Sequence, residues 1–268
     1  MKHDADKLRA SASIAEPVAL PVVSKMNPGH IGHRGRAGMT YRDLIPGRLE
    51  GSVIASHIHV SNAGPVPDYV HHHDISFQVI FCVRGSAKLV YEDQGEPFDF
   101  EAYDCVLQPP GIRHRVLETS GAFDVVEITS PADHHTYVDH EIALPNSERR
   151  VDREFAGQRF VHSRISDLAP MAGKVVGFAV RETPIHDASN ELVSVSVLSA
   201  DSANGQIKVP SKRKSLVYVL TGGCRFECGS VAGDLDQGDA ITLPSDSELD
   251  LSDLADNSEF LHVDFSTG

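Results

Sequence analysis

Helix-period hydrophobic patterns are almost absent from this 268-residue chain; only Asp133–His140 offers a helical turn or two. That excludes helical bundles and the alternating strand–helix architectures built on parallel sheets. No apolar run approaches the roughly 20 residues of a membrane-spanning helix. Basic residues are also scarce, 24 Lys and Arg against 38 Asp and Glu, for a net charge of −14. A nucleic-acid partner is not expected, because binding phosphates needs a basic stripe. Docking on an anionic membrane is disfavoured for the same reason. G-x-S-x-G, phosphate-loop and dinucleotide fingerprints are missing. Only four cysteines occur, Cys82, Cys105, Cys224 and Cys228. The first two lie in apolar strand patterns, and Cys224-x-x-x-Cys228 lacks the second pair of a zinc knuckle. A reducing, cytoplasmic location is expected. Met1–Lys25 mixes charges with Ala and Ser, and Pro17 and Pro21 interrupt its apolar stretch. That segment is not expected to be a secretory signal; it reads as an arm, or as a strand lying across a partner.

Strand signals fill the rest. Val53–Val60, Phe77–Val83, Ala87–Tyr91, Cys105–Gln108, Arg113–Leu117 and Phe123–Ile128 are short and rich in β-branched or aromatic residues, with turn residues between them. After a polar stretch, residues 146–158, the signals resume at Val175–Arg181, Leu192–Leu198, Ser215–Leu220, Cys224–Cys228, Ala240–Leu243 and Phe260–Phe265. The halves can be overlaid: Phe81–Gly85 matches Tyr218–Gly222, and Asp104–Pro109 matches Asp239–Pro244, at offsets that differ by two residues. The expected organisation is an all-β chain of two tandem barrels, with an arm at 1–30, one barrel at 31–145 and another at 146–268.

Histidine carries the chemistry. His71, His72 and His73 are followed by Gln78 and Gly85, giving H-x-H, four residues, Q, six residues, G. Pro109-Pro110-Gly111-Ile112-Arg113-His114 supplies P-x-G-x-x-H. Residues i and i+2 of a strand share a face, so His71 and His73 aim together while His72 faces outward. A turn through Asp74, Ile75 and Ser76 resets the parity and lets Gln78 open the next strand facing inward. His114 then starts a third strand, and four donors converge. Imidazole nitrogen suits zinc, copper, iron and nickel. Three neutral imidazoles and an amide leave a divalent ion its full charge, which favours an anionic substrate. In the overlay, His71, His73, Gln78 and His114 fall on Lys208, Pro210, Ser215 and Leu249, so the second half keeps the skeleton without the ligands. His57 and His59 share one face of the preceding strand; they are candidates to line the cavity, the other reading being solvent exposure or core hydrogen bonding. His134, His135 and His140 are expected at the surface, and Glu92 and Asp93 in a solvated turn.

These two elements resemble the signature motifs of the cupin superfamily, G-x5-H-x-H-x3–4-E-x6-G and G-x5-P-x-G-x2-H-x3-N. Departures are Pro65 and Tyr103 at the two opening glycines, Gln78 at the glutamate and Glu118 at the closing asparagine. The resemblance covers roughly residues 45–130 and implies tandem double-stranded β-helix (jelly-roll) barrels, a bicupin with one occupied barrel. It implies one divalent transition metal (Fe, Mn, Ni, Zn or Cu) on His71, His73 and His114, with Gln78 completing or tuning the shell. The activity it suggests is that of a quercetinase-like or diketone-cleaving dioxygenase acting on a small enolisable or phenolic substrate. A metal-dependent isomerase, lyase or decarboxylase, and a non-catalytic small-molecule binder, are the alternatives. Exchange of N-terminal strands, common in cupins, implies a homodimer.

Overall fold

The computed structural model describes residues 20–27, 32–35, 38–172, 174–201 and 207–266. Nearly every regular element among them is a strand, and every pairing is antiparallel. The single α-helix among the described residues, Ile185–Ala188, is one turn long. The expected helical turns at 133–140 are instead an edge strand, Thr136–Val138, which pairs with His71–His73. Its Thr-Tyr-Val sequence is a strand former, and the pairing satisfies backbone groups that one isolated turn would leave to water.

Two sheets enclose the first barrel. A seven-stranded sheet runs in the order 161–164, 104–108, 77–84, 123–130, 54–60, 40–43, 33–34. A six-stranded sheet faces it, with 136–138, 71–73, 114–120, 86–91 and 98–101 in order and 63–65 paired beside 114–120. The second barrel has a seven-stranded sheet, 22–24, 240–243, 214–221, 259–265, 193–200, 178–182, 171–172, opposite a four-stranded one, 207–211, 247–252, 223–228, 231–236. Two of these strands cross the midpoint of the sequence. Val22–Ser24 pairs with Ala240–Leu243, and Val161–Arg164 pairs with Asp104–Gln108.

Three cores result. Ile58, Cys82, Leu89, Phe100, Phe123 and Val125 fill the first barrel. Phe178, Leu198, Val209, Phe226, Leu249 and Phe260 fill the second. The third lies between the barrels, where the two seven-stranded sheets meet back to back through Phe77, Val79, Phe81 and Val126 on one side and Val195, Tyr218, Leu261 and Val263 on the other. This double burial explains why Phe77–Arg84 shows no clean alternation. Gln78, Ile80 and Cys82 face the barrel interior while Phe77, Val79 and Phe81 face the other sheet. A strand with solvent on neither face reads as one apolar run.

The sequence overlay is reproduced in the pairing: Cys105 pairs with Phe81, and Ala240 pairs with Tyr218. Gly85 and Gly222 close the matching strands at φ 75° and 76°. A Cβ on Gly85 would also lie 3.0 Å from Ala122 O, so the position excludes side chains twice over. One part of the overlay shifts. Lys208 and Pro210 are exposed, and the inward residues of that strand are Val209 and Ser211. His71 pairs with His114, as Val209 pairs with Leu249. The second barrel's counterpart of the histidine cluster is therefore Val209, Ser211, Ser215 and Leu249, closed by a 2.8 Å hydroxyl–hydroxyl hydrogen bond between Ser211 and Ser215.

Candidate metal centre

His71, His73 and His114 meet inside the first barrel. All three are buried, and one ring nitrogen of each lies within 4.8 Å of those of the other two. Ring centroids are 4.2 Å apart for His71–His114, 5.1 Å for His71–His73 and 5.2 Å for His73–His114. Among the described residues, no other His, Cys, Asp or Glu cluster converges in this way. The opposite side of each ring is anchored. His71 Nδ1 donates to Tyr69 O at 2.7 Å, and His114 Nδ1 donates to Ile112 O at 3.0 Å. His73 Nδ1 lies 2.9 Å from Thr136 Oγ1. A carbonyl can only accept, so for His71 and His114 the proton sits on Nδ1 and the lone pair on Nε2, the tautomer that binds a metal. Held orientation of this kind raises ligand basicity.

Gln78 lines the same cavity. Its Oε1 accepts a hydrogen bond from Gln108 Nε2, while Gln108 Oε1 accepts one from Tyr91 Oη at 3.0 Å. A carbonyl oxygen has two lone pairs, so the chain Tyr91–Gln108–Gln78 fixes the amide without removing its capacity as a donor. Asp68, buried behind His71, has Oδ1 3.7 Å from His71 Nδ1 and accepts the Val116 amide through Oδ2. The donor set suits a borderline transition metal: three imidazoles, an amide oxygen, and buried thiols kept out of reach. Burial pushes the Cys82 thiol up to about 12, leaving no thiolate to compete.

The cavity holds about 320 Å³. Ile58, Val60, Ile80, Phe100 and Val125 give it apolar walls, with the histidines grouped at one part of its lining. Glu127 is the one carboxylate among the described lining residues. It stands in Phe123–Ser130, in register with Ile80 and Ser56 and in step with Phe123 and Val125, which line the same wall. The sequence motifs do not include it; its odd-numbered parity with Phe123 and Val125 is the signal that marks it as inward-facing. His134 is a second addition. It was expected at the surface, yet it lines the cavity with its ring 5.4 Å from that of His73. The strand at Thr136–Val138 brings it there, while His135 and His140 are exposed as expected.

Of the two readings open for His57 and His59, the structure rules out the cavity-lining one. Both lie on Ile54–Val60, but Ile58 and Val60 take the cavity face, so strand alternation turns the two histidines to the other side. There they join a separate cleft with Arg42, Arg84 and Asp124. Asp124 accepts from His59 Nδ1 at 2.6 Å and from Arg84 Nε at 2.7 Å, and lies 3.6 Å from His57 Nε2. His72 also faces away, 3.2 Å from Asp139 and stacked on Tyr137. Asp93 is likewise not solvated: it is buried and binds Arg150, Arg153 and Asn146, pinning the connecting segment to the first barrel.

No protein-family model matches the sequence, and no curated protein matches it. Solved structures do. Oxalate decarboxylase from Bacillus subtilis superposes with a TM-score of 0.66 at 10% identity, covering 91% of this chain and 76% of that one. Salicylate 1,2-dioxygenase from Pseudoaminobacter salicylatoxidans gives 0.66 at 13%, covering 92% and 81%. The protein Ylba from E. coli gives 0.67 at 12%, covering 92% and 91%. At such identities the likeness is one of fold, and the fold is that of the cupins. Fold and site together define a cupin-fold protein with a three-histidine candidate metal centre in one barrel. Among the described residues, no helix is long and apolar enough to cross a membrane.

Proposed function

We propose that the chain is a metal-dependent enzyme, a dioxygenase acting on a small enolisable or phenolic compound. The observation that carries this reading is the placement of three buried histidines, two of them tautomer-fixed, in the wall of a largely apolar cavity. His71, His73 and His114 hold the ion, with Gln78 beside them. When bound, the ion supplies Lewis acidity and coordination positions that the protein leaves open. The chain's own groups do the rest. Phe100, Ile80 and Val125 bind the carbon framework and exclude water. Glu127 takes the proton of the acidic hydroxyl or C–H group. The rigid Tyr91–Gln108–Gln78 chain keeps the amide aligned.

A non-oxidative reading, decarboxylase or isomerase, is favoured by one observation of its own. A carboxylate inside an apolar cavity can return a proton to carbon as readily as remove one. Oxygen consumption separates the two. The protein, made without a histidine tag, is analysed for metal beside His73→Ala and His114→Ala, then assayed for oxygen uptake with β-dicarbonyl and phenolic compounds. Stoichiometric metal in the wild type, lost in both variants, with uptake on iron loading, is the expected result. Full metal retention in both variants overturns the site. Turnover without oxygen uptake selects the second reading.

A further inference from the structure

We propose that the second barrel carries a binding site of its own, for a small organic ammonium ion. A cavity of about 470 Å³ opens on this barrel, lined by Glu182, His186, Asp187, Ser196, His262 and Asp264 over a floor that includes Val180 and Leu198. It is independent of the histidine triad. His262 stands in register with Ser196, and Asp264 with Ser215, on the strand that corresponds to the one bearing Glu127.

The observation that points to a ligand is His262 itself. Only 7% of it is exposed, yet its Nε2 is buried without a hydrogen-bond partner, the nearest carboxylate oxygen, Asp264 Oδ1, standing 3.5 Å away. His186 Nδ1, on the same cavity, is likewise buried and unpartnered. Two buried polar nitrogens left without partners around one cavity are costly unless something binds them. Burial lowers the His262 pKa, which favours the neutral ring.

Charge selects the class. The lining has one ammonium, Lys174, against the carboxylates of Glu182, Asp187 and Asp264, and Lys174 is already bonded to Glu182. What remains is rich in acceptors and negative. An acid is repelled. A bare metal ion lacks a closed shell, because among the described residues no three ligand atoms converge here. A primary ammonium brings three donors and one positive charge, and the floor of Val180 and Leu198 accommodates its alkyl chain.

The test is calorimetric titration of the full-length protein with 1,4-diaminobutane, with glucose and succinate as the other arms. Expected are 1:1 binding of the diamine that weakens as salt rises, and a loss of tenfold or more in Asp264→Asn and in His262→Gln. His73→Ala, in the other barrel, should bind the diamine as the wild type does. Circular dichroism and metal content check that the variants fold; should one of them not, Asp187→Asn at the exposed rim and the wild-type salt series still decide. No binding of the diamine, undiminished binding in both site variants, loss in His73→Ala, or binding of glucose or succinate instead overturns the proposal.

Discussion

His71 and His114 are each held by a carbonyl two residues earlier in the chain, Tyr69 O and Ile112 O. The anchors are thus local backbone, and ring orientation does not depend on distant packing. The side chain that most directly tests the chemistry is Glu127. In Glu127→Gln, metal content should match the wild type while oxygen uptake falls on the order of 100-fold or more, the usual loss for a proton-transfer group. Unchanged turnover would remove Glu127 from the reaction. His57 makes a different prediction. Burial holds its pKa at about 4, despite the opposing attraction of Asp124, against 6.5 for an ordinary histidine. Between these values the unfolded chain binds the proton and the folded one does not, so stability rises with pH across that window. His262, also lowered by burial, acts in the same direction. Urea unfolding should show stability intact above pH 6.5 and falling by a few kcal/mol toward pH 4. His57→Asn should flatten part of that limb; an identical profile would show that His57 does not contribute. At this scale the sequence was legible where spacing fixes parity, as for His71 and His73, and where a Pro-Gly turn opens a strand, as for His114. It was opaque for His57 and His59, because a shared face does not say which side that face takes.

Individual strands were legible from β-branched and aromatic runs, and each of the twelve segments so identified contains a strand. Those not foreseen are polar or short, such as Val161–Arg164 and Val231–Asp236, and owe their conformation to a neighbouring strand rather than to their own pattern. The strand Val22–Ser24 shows how such an element is fixed. Beyond it, the carboxylate of Asp239, 1% exposed, receives Lys25 Nζ, the Met26 amide and, at 2.7 Å, the Asp236 amide. Arg42 of the first barrel reaches the same turn through Gly238 O. Asp239→Ala strands all three donors. It should lower the unfolding free energy by about 1.5–3 kcal/mol, as expected for hydrogen bonds to a charged group. Lys25→Ala, at a half-exposed position, should cost less than about 1 kcal/mol. Equal effects of the two would assign the stabilisation to the ion pair alone, against this account.

The duplication was readable as matched strand-and-glycine segments, but the contact between barrels was not. Nothing in a linear pattern says whether a second apolar face meets a helix, another sheet or another chain. Here the two large sheets cover one another, and the sum is large. Uncovering Phe77, Val79, Phe81, Leu107, Val126 and Ile128 alone would cost about 9–18 kcal/mol at roughly 1.5–3 kcal/mol per side chain. That is comparable to the whole net stability of a typical protein, about 5–15 kcal/mol. A fragment ending at residue 145 also loses Val161–Arg164 from its sheet edge. It should aggregate or bind a hydrophobic dye, and the intact chain should unfold in one transition. A monodisperse fragment with cooperative unfolding of its own would contradict this. The crossing strands have a further effect. Among the described residues, Val22–Ser24 lies at the edge of one barrel, the chain then builds the other, and Val161–Arg164 joins that other barrel's sheet after the midpoint. Bodies laced together in this way cannot swing apart as hinged halves. Whatever admits or releases a guest from either chamber must be local to its rim, such as the segment carrying His134 on one side and the short helical turn at His186 on the other.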